Sequence, residues 1–189
     1  MKTIVVPKQE LWDENAERFI DVPQTTLLLE HSLLSLSEWE SDYKKPYIVN
    51  NPRLAEPRTR KETLDYVKCM TLNRDEVTDE NVYLALSNSQ LREIDEYIND
   101  KRTATTFAKN PMERPGGKFI TSELIYYWMS TFNIPYIPCE SWHLNRLLTL
   151  IKVCSEEQKA PDKKKNRRSN LDEQRRLNEM RKKQLGTSG

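Results

Sequence analysis

Glycine is scarce in this 189-residue chain, at four residues. Neither G-x-G-x-x-G nor G-x-x-x-x-G-K-[ST] occurs, so the backbone loops that wrap nucleotide phosphates are missing in their ordinary form. Cysteine is as scarce: Cys69, Cys139 and Cys154, an odd set without a C-x-x-C pair. That pattern predicts reduced thiols of a cytosolic protein rather than a disulfide scaffold. Long apolar runs are also missing. A membrane-spanning helix needs ~20 apolar residues, so none is expected. The opening Met1-Lys2-Thr3-Ile4-Val5-Val6-Pro7 has no extended apolar region, and no secretory signal is expected. Apolar residues make up 37% of the chain and charged residues 31%, against typical values of ~45–50% and ~25%. The mean hydropathy is −0.81. The composition predicts a lean core, a leaning toward helix, and no cofactor.

What is present is charge, unevenly placed. Residues 1–157 carry 19 Lys/Arg and 25 Asp/Glu, a net of −6, whereas residues 158–189 carry 11 and 4, a net of +7. An acidic body followed by a basic tail can meet anionic polymers, its own acidic body, or an acidic partner.

Lys2–Val6 reads as a short strand ended by Pro7, with Arg18–Val22 as its partner and residues 11–15 as the turn. Residues 25–40 read as one helix, with Leu29, Leu33, Leu36 and Glu40 on one face and Leu28 and Trp39 widening the stripe. It ends near Lys45, because Pro46 disfavours helix in the residue before it. Three prolines make 46–58 an extended loop. Thr59-Arg60-Lys61-Glu62 matches a capping box and opens a helix over about 60–71; Ser87-Asn88-Ser89-Gln90 is a second match. One helical turn is expected at 79–84, and an irregular loop over 101–118. Thr121-Ser122-Glu123 opens a further helix, ended by Asn133 and Pro135. Leu144, Leu147, Leu148, Ile151 and Cys154 recur at spacings of three and four, which predicts a core helix with Trp142 and Leu148 as anchors. Beyond Ser155 the apolar residues thin out. Asp172-Glu173 before Arg181-Lys182-Lys183 is the order a helix dipole favours, but such a helix is marginal alone.

No catalytic set converges in the sequence. The only histidines are His31 and His143. A metal site could be drawn from His31, His143, Cys139 and a carboxylate, but nothing has ligand spacing: Cys139 and His143 are four apart, Pro138 makes the helix start near Cys139 and leaves a shared face open, and no metal is expected. Each histidine is expected to hydrogen-bond at a packing seam. No orienting motif makes Cys69 or Cys139 a nucleophile beside either histidine. Six aromatics, Tyr126, Tyr127, Trp128, Phe132, Tyr136 and Trp142, fall close together. Interleaved basic residues would suggest a stacking platform for single strands; only Lys118 and Arg146 bracket them, so a core is expected. In the tail, Lys163, Lys164, Lys165, Arg167, Arg168, Arg175, Arg176 and Arg181 are the candidate partner-binding residues. They suit a solvated extension, a protein-binding arm or a nucleic-acid arm.

Six strings carry a resemblance. They are Leu29-Glu30-His31-Ser32-Leu33 with Ser37-Glu38-Trp39-Glu40, Thr63–Thr71, Thr103-Ala104-Thr105, Ile125–Met129, and Trp142–Ile151. In this order, over most of residues 25–155, the chain resembles a family of small tailed-bacteriophage proteins of the tail assembly chaperone group. The resemblance implies a non-enzymatic protein that coats the tape-measure protein and recruits tail-tube subunits. It implies no active-site residues. Pro115-Gly116-Gly117 and the proline-rich 46–58 stretch read as variable loops within it.

The expectation is therefore a mainly α protein: one helical domain, 1–155, with a small N-terminal β-hairpin, then a basic arm, 156–189, helical or disordered. The function expected is that of a phage tail assembly chaperone in the host cytoplasm, with the tape-measure and tail-tube proteins as partners. Self-association is a further option, no membrane contact is expected, and incorporation into the virion stays open. The alternatives are a nucleic-acid-binding phage protein acting through the arm, which is not favoured, and a structural connector or baseplate component.

Overall fold

The structure, a computed structural model, describes residues 1–13, 17–49, 56–107 and 119–185, with the backbone alone at 13, 159–173, 179 and 182–185. The protein is mainly α, with small antiparallel strand pairs. It divides into two units, Met1–Thr149 and Leu150–Gly189.

Two prolines shape the N-terminal strands. β1 (Lys2–Val6), β2 (Gln9–Asp13), β3 (Arg18–Val22) and β4 (Thr25–Leu29) form two ladders, β1 with β4 and β2 with β3. Lys2 faces Leu29 and Gln9 faces Val22, so one register runs through both ladders. Pro7 and Pro23 fall at the interruption, where a missing amide donor does least harm. This corrects the expected hairpin. Lys2–Val6 is a strand, but it pairs with Thr25–Leu29; Arg18–Val22 pairs instead with residues 9–13, so Leu11 and Trp12 are strand residues rather than turn residues. Burial alternates as the pleat requires: Ile4, Val6, Leu27 and Leu29 are buried, and Thr3, Val5 and Thr26 are exposed.

The single helix expected over 25–40 is likewise corrected. Ser32 caps α1 (Leu33–Tyr43) in a box with Ser35, and the residues before it are β4. The outer edge of β4 is occupied by the chain that follows the next helix: Leu72 N–H donates to the Leu28 carbonyl at 2.7 Å, and Leu28 N–H to Asn73 Oδ1 at 2.9 Å. These bonds hold 25–29 extended. α1 ends at Lys44, whose φ of 54° is left-handed, just before Pro46.

β5 (Ile48–Val49) lies within the expected 46–58 loop and pairs with β6 (Phe119–Ile120). α2 (Arg60–Met70) and α4 (Asn88–Asn99) begin at the two capping boxes read from the sequence, on Thr59 and Ser87. Between them lie a 3₁₀ turn (Arg74–Glu76) and α3 (Asn81–Leu84). Residues 101–107 are irregular; 108–118 of the expected loop lie outside the described residues. α5 (Ser122–Thr131) is capped by Thr121, α6 (Tyr136–Cys139) is one turn, and α7 runs over Leu144–Leu185.

The core of the first unit gathers where α1 packs on α2 and α5. Leu33, Leu36 and Trp39 of α1, Leu64, Tyr66, Val67 and Met70 of α2, and Ile125 and Met129 of α5 are buried, with Leu144 and Leu147. The aromatic centre is not the expected one. Tyr47 stacks on Tyr66 at 3.9 Å and meets Trp39 edge-on at 5.1 Å, contacts that contribute about 0.5–1.5 kcal/mol each beyond burial. Of the six clustered aromatics none is buried: Tyr127 and Tyr136 are exposed, and the others, Trp142 among them, are half-buried. They ride on an amphipathic helix and its short extension, whose buried positions belong to Ser122, Ile125, Met129 and Cys139. Leu148, expected as an anchor, is also half-buried, whereas Leu147 is fully buried.

Candidate partner-binding surfaces

The two histidines meet in the interior. His31 and His143 lie edge to face at 5.3 Å. His31 Nδ1 is 2.5 Å from the Tyr66 hydroxyl. His143 Nε2 is 3.0 Å from the Tyr97 carbonyl; a carbonyl only accepts, so Nε2 carries the proton. Nδ1 is then free to accept from Asn145 N–H. Burial, with His143 and Arg58 nearby, pushes His31 down to about 3, and burial lowers His143 as well. Both rings are therefore neutral, hydrogen-bonded parts of a packing seam, as their place in the sequence suggested.

Sequence reasoning missed one buried charge. Glu40 lies on the buried face of α1, and its carboxylate accepts from Tyr47 N–H at 2.9 Å and Ser122 N–H at 2.7 Å. It thereby joins α1 to the start of α5. The signal was its place on the apolar stripe, where an acid needs donors to be tolerated. The thiol of Cys69 is pushed up to about 12 by burial and by Glu38, which keeps it protonated and a poor nucleophile. Among the described residues no three His, Cys, Asp or Glu side chains gather as a metal site.

The concave surfaces are mixed in charge. A cleft of about 550 Å³ between α2 and α3 is lined by Arg60, Lys61 and Lys68 but also by Asp65 and Glu80. Lys68 pairs with Glu80 at 2.7 Å. The positive charge there is largely answered from within.

The candidate basic residues all fall on α7, a single helix in the described backbone. Arg175, Arg176 and Arg181 are exposed; the side chains of Lys163, Lys164, Lys165, Arg167 and Arg168 lie outside the described residues. Between the arginines, Leu177 is 45% exposed and Met180 49%. No described helix is long and apolar enough to cross a membrane.

A second surface was not foreseen. On the β2–β3 ladder Val22 is buried, Leu11 and Ile20 are half-buried, and Gln9 donates to the Ala85 carbonyl at 2.7 Å, which anchors that face. The alternate residues point the other way: Glu10, Trp12, Phe19 and Asp21 are all exposed. Trp12 lies opposite Phe19 with ring centroids 5.0 Å apart, and Glu10 lies opposite Asp21. The alternation is present in the sequence, but the turn expected at residues 11–15 masks it. No family model, curated protein or solved structure matches the chain.

Proposed function

We propose that the protein acts in tail morphogenesis of a tailed bacteriophage, as an assembly chaperone that binds the tape-measure protein and recruits tail-tube subunits. The proposal starts from the strings between Leu29 and Ile151 that resemble that group. The observation that carries it furthest is the pairing, on α7, of exposed Leu177 and Met180 with exposed arginines. A helix that leaves apolar side chains in water beside charge is suited to weak, reversible docking on another helix. The neutral interior histidines and the protonated Cys69 supply no acid, base or nucleophile at the surface.

Co-expression with the downstream tape-measure protein tests the reading, beside a DNA titration at two salt concentrations. The chaperone keeps the tape measure soluble and binds DNA no tighter than ~10 µM near physiological salt, the range of non-specific binding. The exposed arginines also suit a nucleic-acid arm. Submicromolar, steeply salt-dependent DNA binding with no rescue of the tape measure would overturn the chaperone and establish that second reading.

A further inference from the structure

We propose that the outward face of the β2–β3 hairpin is a docking site for the C-terminal part of α7 from a second copy of this chain, so that copies associate head to tail. This contact does not rest on the tail-assembly reading, although it engages the same Leu177–Met180 face of α7 and would compete with a tape-measure helix for it.

The hairpin face has a definite pattern. Trp12 is 52% exposed and Phe19 65%, and they form one apolar step across the two strands. The next cross-strand pair on the same face is Glu10 with Asp21, two carboxylates in direct register. Like charges directly opposite on paired strands repel. Among the described residues no ion pair reaches either of them. An aromatic step and an unneutralised acidic pair call for the same kind of ligand, an apolar group flanked by cations.

α7 carries that group. At 3.6 residues per turn, Arg176, Met180, Leu177 and Arg181 fall in this order across about 140° of helix surface. Leu177 and Met180 form the middle of the face, and Arg176 and Arg181 form its two margins; all four side chains are exposed. Leu177 and Met180 set on the Trp12–Phe19 step would bring an arginine toward Glu10 and Asp21. Arginine also stacks on indole rings, as Arg146 does here on Trp142 at 4.3 Å. The charge of the whole chain has the same sense, with −6 over 1–157 and +7 over 158–189. Tryptophan and arginine are the residue types that dominate interface energetics.

Two consequences follow from the geometry. The two surfaces differ, so the contact is heterologous, and each bound copy still offers one free half. Each surface is built here from four side chains, against about 20–30 residues a side in a standard stable interface, so association is weak and depends on concentration and salt.

Sedimentation velocity of the full chain over two decades of concentration tests the proposal. The expected result is a weight-average mass that grows with concentration, with association weakened at least tenfold on going from low to high salt. Two variants each remove one half: Trp12→Ser with Phe19→Ser, and Arg176→Glu with Arg181→Glu. Both change exposed residues, and circular dichroism and the melting temperature confirm that each folds. Each alone should associate at least tenfold more weakly. An equimolar mixture should form a one-to-one complex that grows no further, because each variant retains the half the other lacks. A chain combining Glu10→Arg and Asp21→Arg with Arg176→Glu and Arg181→Glu should associate again. A wild-type monomer at every concentration would overturn the proposal. So would association that neither variant weakens, a mixture that stays monomeric, or a compaction independent of concentration, which would mean the helix docks on its own hairpin.

Discussion

Mild acid should destabilise the first unit through its buried histidines. His31 is held at about 3 in the folded protein and returns to about 6.5 when unfolded. Between those values the unfolded chain binds a proton that the folded chain refuses, so stability rises with pH. The contribution is fully present above about 6.5 and is lost as the pH falls from there toward 3. Each pH unit inside the window amounts to about 1.4 kcal/mol. A change from pH 7.5 to pH 5 therefore removes about 2 kcal/mol through His31 alone, and His143, also lowered by burial, adds in the same direction. For a unit of this size, about 2 kcal/mol corresponds to a fall in melting temperature of about 4–8 °C. Glu62 and Glu123 are held below the usual value of 4.5, so their stabilisation is lost only as the pH falls below about 4.5, in the lower part of the His31 window and outside the comparison of pH 7.5 with pH 5. The assay is thermal unfolding followed by circular dichroism at the two pH values, for the wild type and for His31→Gln. The variant will be less stable at both, because the Tyr66 hydroxyl loses its ring partner. Its pH dependence should shrink to the share that His143 supplies. Equal wild-type melting temperatures at both pH values, or an undiminished drop in His31→Gln, would refute the reasoning.

Glu40→Leu leaves the Tyr47 and Ser122 amides without their acceptor in the interior; about 1–3 kcal/mol per orphaned donor is expected, read by urea unfolding. Leu147→Ala should cost about 2–5 kcal/mol, and Leu148→Ala clearly less, because Leu147 is fully buried and Leu148 only half-buried; equal losses would misplace the buried face of α7. Truncation after Ala160 lies beyond the first unit, Met1–Thr149, and should leave a cooperative unfolding transition while partner binding weakens. A broad, non-cooperative transition in the truncated protein would make the arm part of the core.

The starts of α2 and α4 were legible in the sequence because a cap is local, whereas the start of α1 on Ser32 was hidden by the helix expected from residue 25. The hydroxyl of Thr59 or Ser87 and the side chain of Glu62 or Gln90 reach amides within three residues, and no distant group takes part. The ends at Lys44 and Phe132 were legible for the same reason, with Pro46 and Pro135 just beyond. The histidines' role was legible because both sit among apolar residues with no ligand spacing. The basic α7 candidates could be read from charge alone, but the exposure of Leu177 and Met180 among them could not. The partner of Lys2–Val6 and the extended form of Thr25–Leu29 were decided elsewhere. Leu27 and Leu29 fit a strand period and a helix stripe alike. What selects the strand is a ladder to residues 2–6 and an edge closed by Leu72 and Asn73, more than forty positions along the chain from Leu28. The aromatic core followed the same rule. Tyr127 and Trp142 lie in the richest aromatic stretch, yet Trp39, Tyr47 and Tyr66 fill the centre. Local composition sets how apolar a segment is, while burial depends on which face of it another element covers, and that is fixed only when the elements meet.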